Sequence, residues 1–240
     1  MYWSKMILIY LSLVCVVVAQ AESEVVVMQP RTVFVPTGFD DNDNAQVVFE
    51  GEVPNSCYKI GATKVSINQQ NKKILITHQV IKQSGEGVQC LQLTVPYQQA
   101  VDLGRIAVGE YSIYFAKADG SDVFFETFSI APCYSPNIDN HYYAPIADIS
   151  LTYNQEKQSV LTLFGTFTRS CAWIDKVEVI RNKANILEIL PVIDFVPNPN
   201  CVNITNHFRH EVLLPSGLQG KVLIHVRSLH GKAFNLVGSF

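Results

Sequence analysis

Apolar residues recur at every second position along many short stretches of this chain, and each stretch ends in a cluster of turn-forming residues. Side chains alternate across a β-strand, so this period predicts half-buried strands. The pattern places strands at 46–53, 63–67, 73–78, 88–95, 110–116 and 122–130. It then resumes at 149–153, 159–167, 176–181, 186–193, 208–214, 221–227 and 233–237. Turns at 40–44, 68–71, 83–87 and 119–121, rich in Gly, Asn, Asp, Gln and Ser, separate the earlier ones. Only 98–106 reads as a helical turn. About seven strands per roughly 100 residues is the pattern of a β-sandwich.

The two runs of strands repeat one another. Residues 51–57 read GEVPNSC and residues 165–171 read GTFTRSC. Gly51, Ser56, Cys57 and Ile60 correspond to Gly165, Ser170, Cys171 and Ile174. After one shortened loop, Cys90, Val101, Leu103, Gly109, Ile113 and Gly120 correspond to Cys201, Val212, Leu214, Gly220, Ile224 and Gly231. Duplication with loop trimming predicts two tandem modules, at 22–131 and 146–240. The segment between them, 132–145, reads PCYSPNIDNHYYAP. Its three prolines favour extended backbone and make it a stiff linker.

Residues 101–114, VDLGRIAVGEYSIY, resemble the corner that closes many immunoglobulin-like sandwiches. The resemblance implies that Leu103 and Ile106 plug the base, that Gly109 turns the chain and that Tyr111 starts a central strand. Cys90 precedes Tyr111 instead of following it closely, so the disulfide is not the antibody one. The likeness is therefore one of architecture: all-β, two tandem immunoglobulin-like sandwiches, each with one internal disulfide.

Residues 1–21 read as a secretory leader, with Lys5, an apolar stretch and Ala19-Gln20-Ala21 as the cleavage site. Cys15 falls within it, and no small residue precedes that cysteine to suggest lipidation. The apolar stretch is too short to cross a bilayer, and no later stretch is long enough to span one. Export to a periplasmic or extracellular space makes disulfides the expected state of the remaining cysteines. Equivalent cysteines should make equivalent bonds, which gives Cys57–Cys90 and Cys171–Cys201. Zinc is disfavoured, because no C-x-x-C or nearby His pair is present. Cys133 is left over in the linker as a candidate intermolecular thiol and a route to a disulfide-linked dimer.

Charged residues make up 16% of the chain and the formal net charge is −3, which argues against nucleic acid as a partner. The halves differ: 8 basic and 13 acidic residues lie in 22–131, against 9 and 7 in 145–240. In the second half His207, Arg209, His210, Lys221, His225, Arg227, His230 and Lys232 fall close together. Strand alternation turns Lys221, His225 and Arg227 outward, which predicts a face for an anionic glycan or acidic protein, tightening as histidines protonate. Asp40, Asp41 and Asp43 form the densest oxygen cluster and a weak candidate calcium site. Asn203-Ile204-Thr205 is a glycosylation sequon.

No G-x-S-x-G, H-E-x-x-H, P-loop or G-x-G-x-x-G signature is present. Ser56 and Ser170 have no repeated His or Asp beside them and read as structural. No cofactor is implied. The sequence thus points to an exported, non-enzymatic binding or envelope-structural protein. The alternatives are a secreted inhibitor or chaperone-like accessory protein for an extracellular enzyme or adhesin, and, less favoured, a hydrolase.

Overall fold

The computed structural model describes residues 22–139, 141–195 and 200–240. The expected leader, 1–21, lies outside the described residues. The chain is all-β, built of two sandwiches with one cystine in each half. In the first half the strands are β1 (Glu22–Val27), β2 (Thr32–Phe34), β3 (Ala45–Val53), β4 (Tyr58–Asn68), β5 (Lys73–Ser84), β6 (Val95–Gly104), β7 (Gly109–Ala116) and β8 (Asp122–Ile130). The second half holds β9 (Ile146–Tyr153), β10 (Ser159–Arg169), β11 (Ala172–Lys183), β12 (Ile186–Phe195), β13 (Asn203–Leu213), β14 (Lys221–Ser228) and β15 (Lys232–Ser239).

The two halves share one topology. A three-stranded sheet, β2-β3-β6, faces a larger sheet in which β4, β5, β7 and β8 follow in that order. The second half repeats this as β9-β10-β13 against β11-β12-β14-β15. Each larger sheet has one parallel pair, β5 with β7 and β12 with β14; the other pairs are antiparallel. β1 is the addition: it continues the edge of β5 beyond β7, along Gln79–Ser84.

Alternation builds each core. Along β5, Ile74, Ile76, His78 and Val80 point inward while their neighbours stay partly exposed. They meet Val47, Phe49, Tyr111, Ile113 and Phe115 in the first core. Leu161, Leu163, Leu187, Ile189, Val222, Ile224 and Val226 form the second. Leu103 and Ile106 are buried, and the Tyr111 hydroxyl lies 2.9 Å from the Ala107 carbonyl, as a corner tyrosine does.

The pattern misplaced one strand. Residues 98–106 are not a helical turn, and 88–94 are loop; the strand between β5 and β7 is β6. Tyr97, Val101 and Leu103 are its buried positions. Polar Gln98, Gln99 and Asp102 between them break the apolar run and mask the period of two.

The two sandwiches pack face to face. Gln46, Val48 and Glu50 of β3 look outward from the first core and meet the outward side of β14 and β15. Phe34, Val48, Ile186 and Leu223 form a third, small apolar cluster there. Contacts run in order, from Glu50 with Lys221 to Asp43 with Arg227. The strands β3 and β14 are therefore antiparallel across the interface, and the cystine ends of the two sandwiches point in opposite directions.

Candidate functional site

Each letter of the repeated G-x-x-x-x-S-C motif has the same role in both halves. Gly51 pairs with Tyr97 and Gly165 with Phe208, so the ring of the neighbouring strand lies across a residue without a side chain. A Cβ at Gly51 would stand 2.4 Å from the Tyr97 hydroxyl, and one at Gly165 2.3 Å from Phe208 Cζ. Cys57 and Cys171 close on Cys90 and Cys201 across Cα distances of 5.3 and 5.4 Å. The serine holds the residue after the second cysteine. Ser56 Oγ accepts the Leu91 amide at 2.8 Å, and Ser56 N–H donates to the Leu91 carbonyl at 3.2 Å. Ser170 holds Val202 in the same way, both contacts at 3.1 Å.

This clamp fixes two tips. Cys90-Leu91-Gln92-Leu93 and Cys201-Val202-Asn203-Ile204 follow one pattern, and their apolar residues face solvent. Leu91 and Leu93 are 66% and 52% exposed, Val202 and Ile204 53% and 43%. The strand period drew Leu91 and Leu93 into the strand expected at 88–95, whereas they lie in loop, and it left out Val202 and Ile204 at the start of β13. The signal was available in the repeat, where an apolar residue follows each second cysteine at +1 and +3.

Lys221, His225 and Arg227 are not an open face, and this expectation is corrected. The alternation was right, but their outward side is where the first sandwich docks. His225 is fully buried: its Nδ1 lies 2.7 Å from Asn235 Oδ1, and its ring stands edge-on to Phe39. Burial first, and then the Arg227 charge, pushes its pKa down to about 3. Arg227 pairs with buried Asp43 at 3.2 Å, and its guanidinium covers the Phe39 ring. Lys221 donates to Glu50 at 2.6 Å. Asn235 Nδ2 donates to Gln46 Oε1, and Glu188 accepts both the amide and the hydroxyl of Thr37. A single sequence cannot tell a solvated polar face from one paired across modules.

The aspartate cluster is divided among separate tasks. Asp43 faces Arg227 and also caps the Asp40 amide. Burial raises its pKa, and Arg227 only partly offsets this. Asp41 accepts the Cys133 amide at 2.9 Å and its thiol, which lowers the Asp41 pKa. Among the described residues no group of three or more His, Cys, Asp or Glu is placed to hold a metal. Cys133 is unpaired and half-buried, and the bond to Asp41 raises its thiol pKa.

A cleft of about 640 Å³ opens at the cystine end of the second sandwich, and one of about 630 Å³ lies at the opposite end, beside Tyr153, Leu213 and Phe240. The first has mostly apolar walls, with Tyr142, Phe167, Ile193, Phe195 and Leu229, and Arg169 and Asp194 at its charged rim. No histidine lines it. His78, the other buried imidazole, sits between Phe49 and Tyr97 with its pKa lowered by burial.

Comparison with known proteins adds the fold class. Residues 47–130 match the family model described as the ORF11 beta-sandwich domain. The match runs from within β3 to the end of β8. No curated protein and no solved structure matches the chain. No helix among the described residues is long and apolar enough to cross a membrane.

Proposed function

We propose that this chain is an exported, non-enzymatic binding or envelope-structural protein that engages a partner through its two cystine-clamped tips. The observation that carries this reading is the duplicated display of Leu91, Leu93, Val202 and Ile204 on clamped loops. Exposed apolar side chains usually lie on mobile or scattered positions, and a fixed, repeated apolar tip suits a contact surface. Holding it rigid lowers the entropy lost on binding. Export is supported by two cystines, which persist in oxidising compartments. The two buried histidines are engaged within the fold, His225 by Asn235 and His78 by Thr63 and the rings of Phe49 and Tyr97, which suits a structural part for both.

The test is affinity capture from the compartment in which the protein resides. Wild type is compared with Leu91→Ser/Leu93→Ser and Val202→Ser/Ile204→Ser. These exposed positions leave stability within about 0.5 kcal/mol. A partner retained by wild type and lost by either double variant is expected; identical capture by all three sinks the reading.

A further inference from the structure

A sheet edge that is closed in the first sandwich is open in the second. Among the described residues β13 pairs with β10 and with no other strand. The Leu214 amide donates to the Ser159 carbonyl of β10 at 2.9 Å. Backbone groups alternate along a strand, so those of His207, Arg209, Glu211 and Leu213 point to the other edge. All four residues are exposed, and the register against β10 is unbroken from Asn206 to Leu213. The repeat supplies a control. Tyr97 of β6 corresponds to Phe208, so Pro96, Gln98 and Ala100 stand in the places of His207, Arg209 and Glu211. Proline offers no amide to an added strand. Gln98 is already engaged, donating to the Asn235 carbonyl at 3.2 Å and accepting the Val237 amide at 2.9 Å. Exposed edges are ordinarily blunted by proline, lysine or a bulge. From His207 to Leu213 there is none of the three.

Charge indicates what pairs there. Arg209 and Glu211 lie two positions apart on one face and bond each other at 2.7 Å, with side chains 65% and 56% exposed. A pair so exposed adds little to stability. Its order along the strand is self-complementary once the strand meets an antiparallel copy of itself. With a two-fold axis at His210, Arg209 of each copy falls opposite Glu211 of the other. His207 then opposes Leu213, and Phe208 opposes Val212. This register also sets edge-pointing residues opposite one another, as antiparallel hydrogen bonding requires. An axis at Arg209 or at Glu211 would instead set like charges face to face, which is unfavourable. Pro215 ends the pairing, since it has no amide to give. Phe208 and His210, which share the inward side with buried Val212, are only half-buried and gain cover from an added strand.

We propose that β13 pairs with β13 of a second copy of this chain, antiparallel about His210, so that two three-stranded sheets join into one of six strands. Strand addition supplies main-chain hydrogen bonds along the edge, and the Arg209–Glu211 pairs supply register. The contact runs from His207 to Leu213, apart from the apolar tips, and goes beyond the partner reading without resting on it.

The test uses the purified protein carrying Cys133→Ser, which removes the unpaired thiol. Sedimentation is expected to show reversible, concentration-dependent dimerisation. Arg209→Glu and Glu211→Arg each set like charges opposite one another twice, by symmetry, and should weaken the dimer about tenfold. Mixed in equal amounts, these two variants should associate with each other, since every charge on one then meets its opposite on the other. His210→Cys in the same background should give a disulfide-linked dimer on a non-reducing gel, because residues opposed in this way bring their Cα atoms to about 4.5 Å. A protein monomeric at every concentration, a dimer indifferent to both charge reversals, or variants that do not associate when mixed overturns the proposal. A monomer whose Arg209→Glu variant loses a captured partner also overturns it, and gives the edge to a strand of another protein. If capture through the tips persists while self-association is absent, only this inference fails and the binding reading stands.

Discussion

At the scale of single residues, the two glycines of the repeated motif make the sharpest prediction. Gly165→Ala places a Cβ 2.3 Å from both Phe208 Cζ and the Pro145 carbonyl, and the carbonyl is backbone that cannot swing aside. Gly51→Ala meets only the ring of Tyr97, a side chain whose hydroxyl has no hydrogen-bond partner among the described residues. Overpacking of this kind costs about 1–3 kcal/mol. Gly165→Ala is expected near the top of that range and Gly51→Ala near the bottom, read as urea midpoints at unchanged slope. The sequence displayed these glycines, and the serine and cysteine after them, as conserved spacing between the halves. It could not show why glycine was required, because the answering rings at Tyr97 and Phe208 lie more than 40 residues further along the chain.

At the scale of elements, the serine clamp ties a loop to a cystine in both halves. Removing the hydroxyl by Ser56→Ala or Ser170→Ala leaves the Leu91 or Val202 amide without its acceptor. Each change is expected to cost about 1 kcal/mol and to speed hydrogen exchange at that amide alone. Unchanged exchange at both amides would mean that the cystine by itself holds the tip. Elements with clean alternation, such as β5 and β14, were legible from the start. β1, β2 and β6 were not: β1 and β2 are short or exposed edge pieces, and β6 carries polar residues on the side that faces Asn235 and Val237 of the other sandwich. Gln98 bonds the free edge of β15 there, so its polarity reflects a partner that lies 137 residues away.

At the scale of the whole molecule, the buried polar interface sets the response to acid. The His225 pKa is depressed to about 3, so the unfolded chain binds a proton that the folded one refuses between about pH 6.5 and pH 3. Its stabilising contribution is complete above pH 6.5 and falls by about 1.4 kcal/mol per pH unit as acid is added. His78, also depressed, acts in the same direction. Asp43 and Asp139, whose burial raises their pKa, act in the opposite sense, favouring the folded state as pH falls from their raised values toward 3.8. Net loss of stability from pH 7 to pH 5 is expected, and His225→Gln should flatten it; an unchanged slope in that variant would show that His225 is not the titrating group. Removing one partner of the Arg227–Asp43 pair, as in Asp43→Ala, leaves a buried guanidinium unmatched. A loss of about 3–5 kcal/mol is expected, seen as an early separate unfolding transition. The candidate anionic-partner face in the sequence reading was this same interface, seen without its other half.

The reversed stacking of the two sandwiches has one more consequence. A tandem repeat whose copies ran side by side in the same sense would grip one surface twice. Here the two copies look away from each other, so whatever one end holds, the other is left free to hold something beyond it. With binding through the tips as proposed, such a molecule would act as a strut with two like ends, joining neighbours in a line and setting the distance between them.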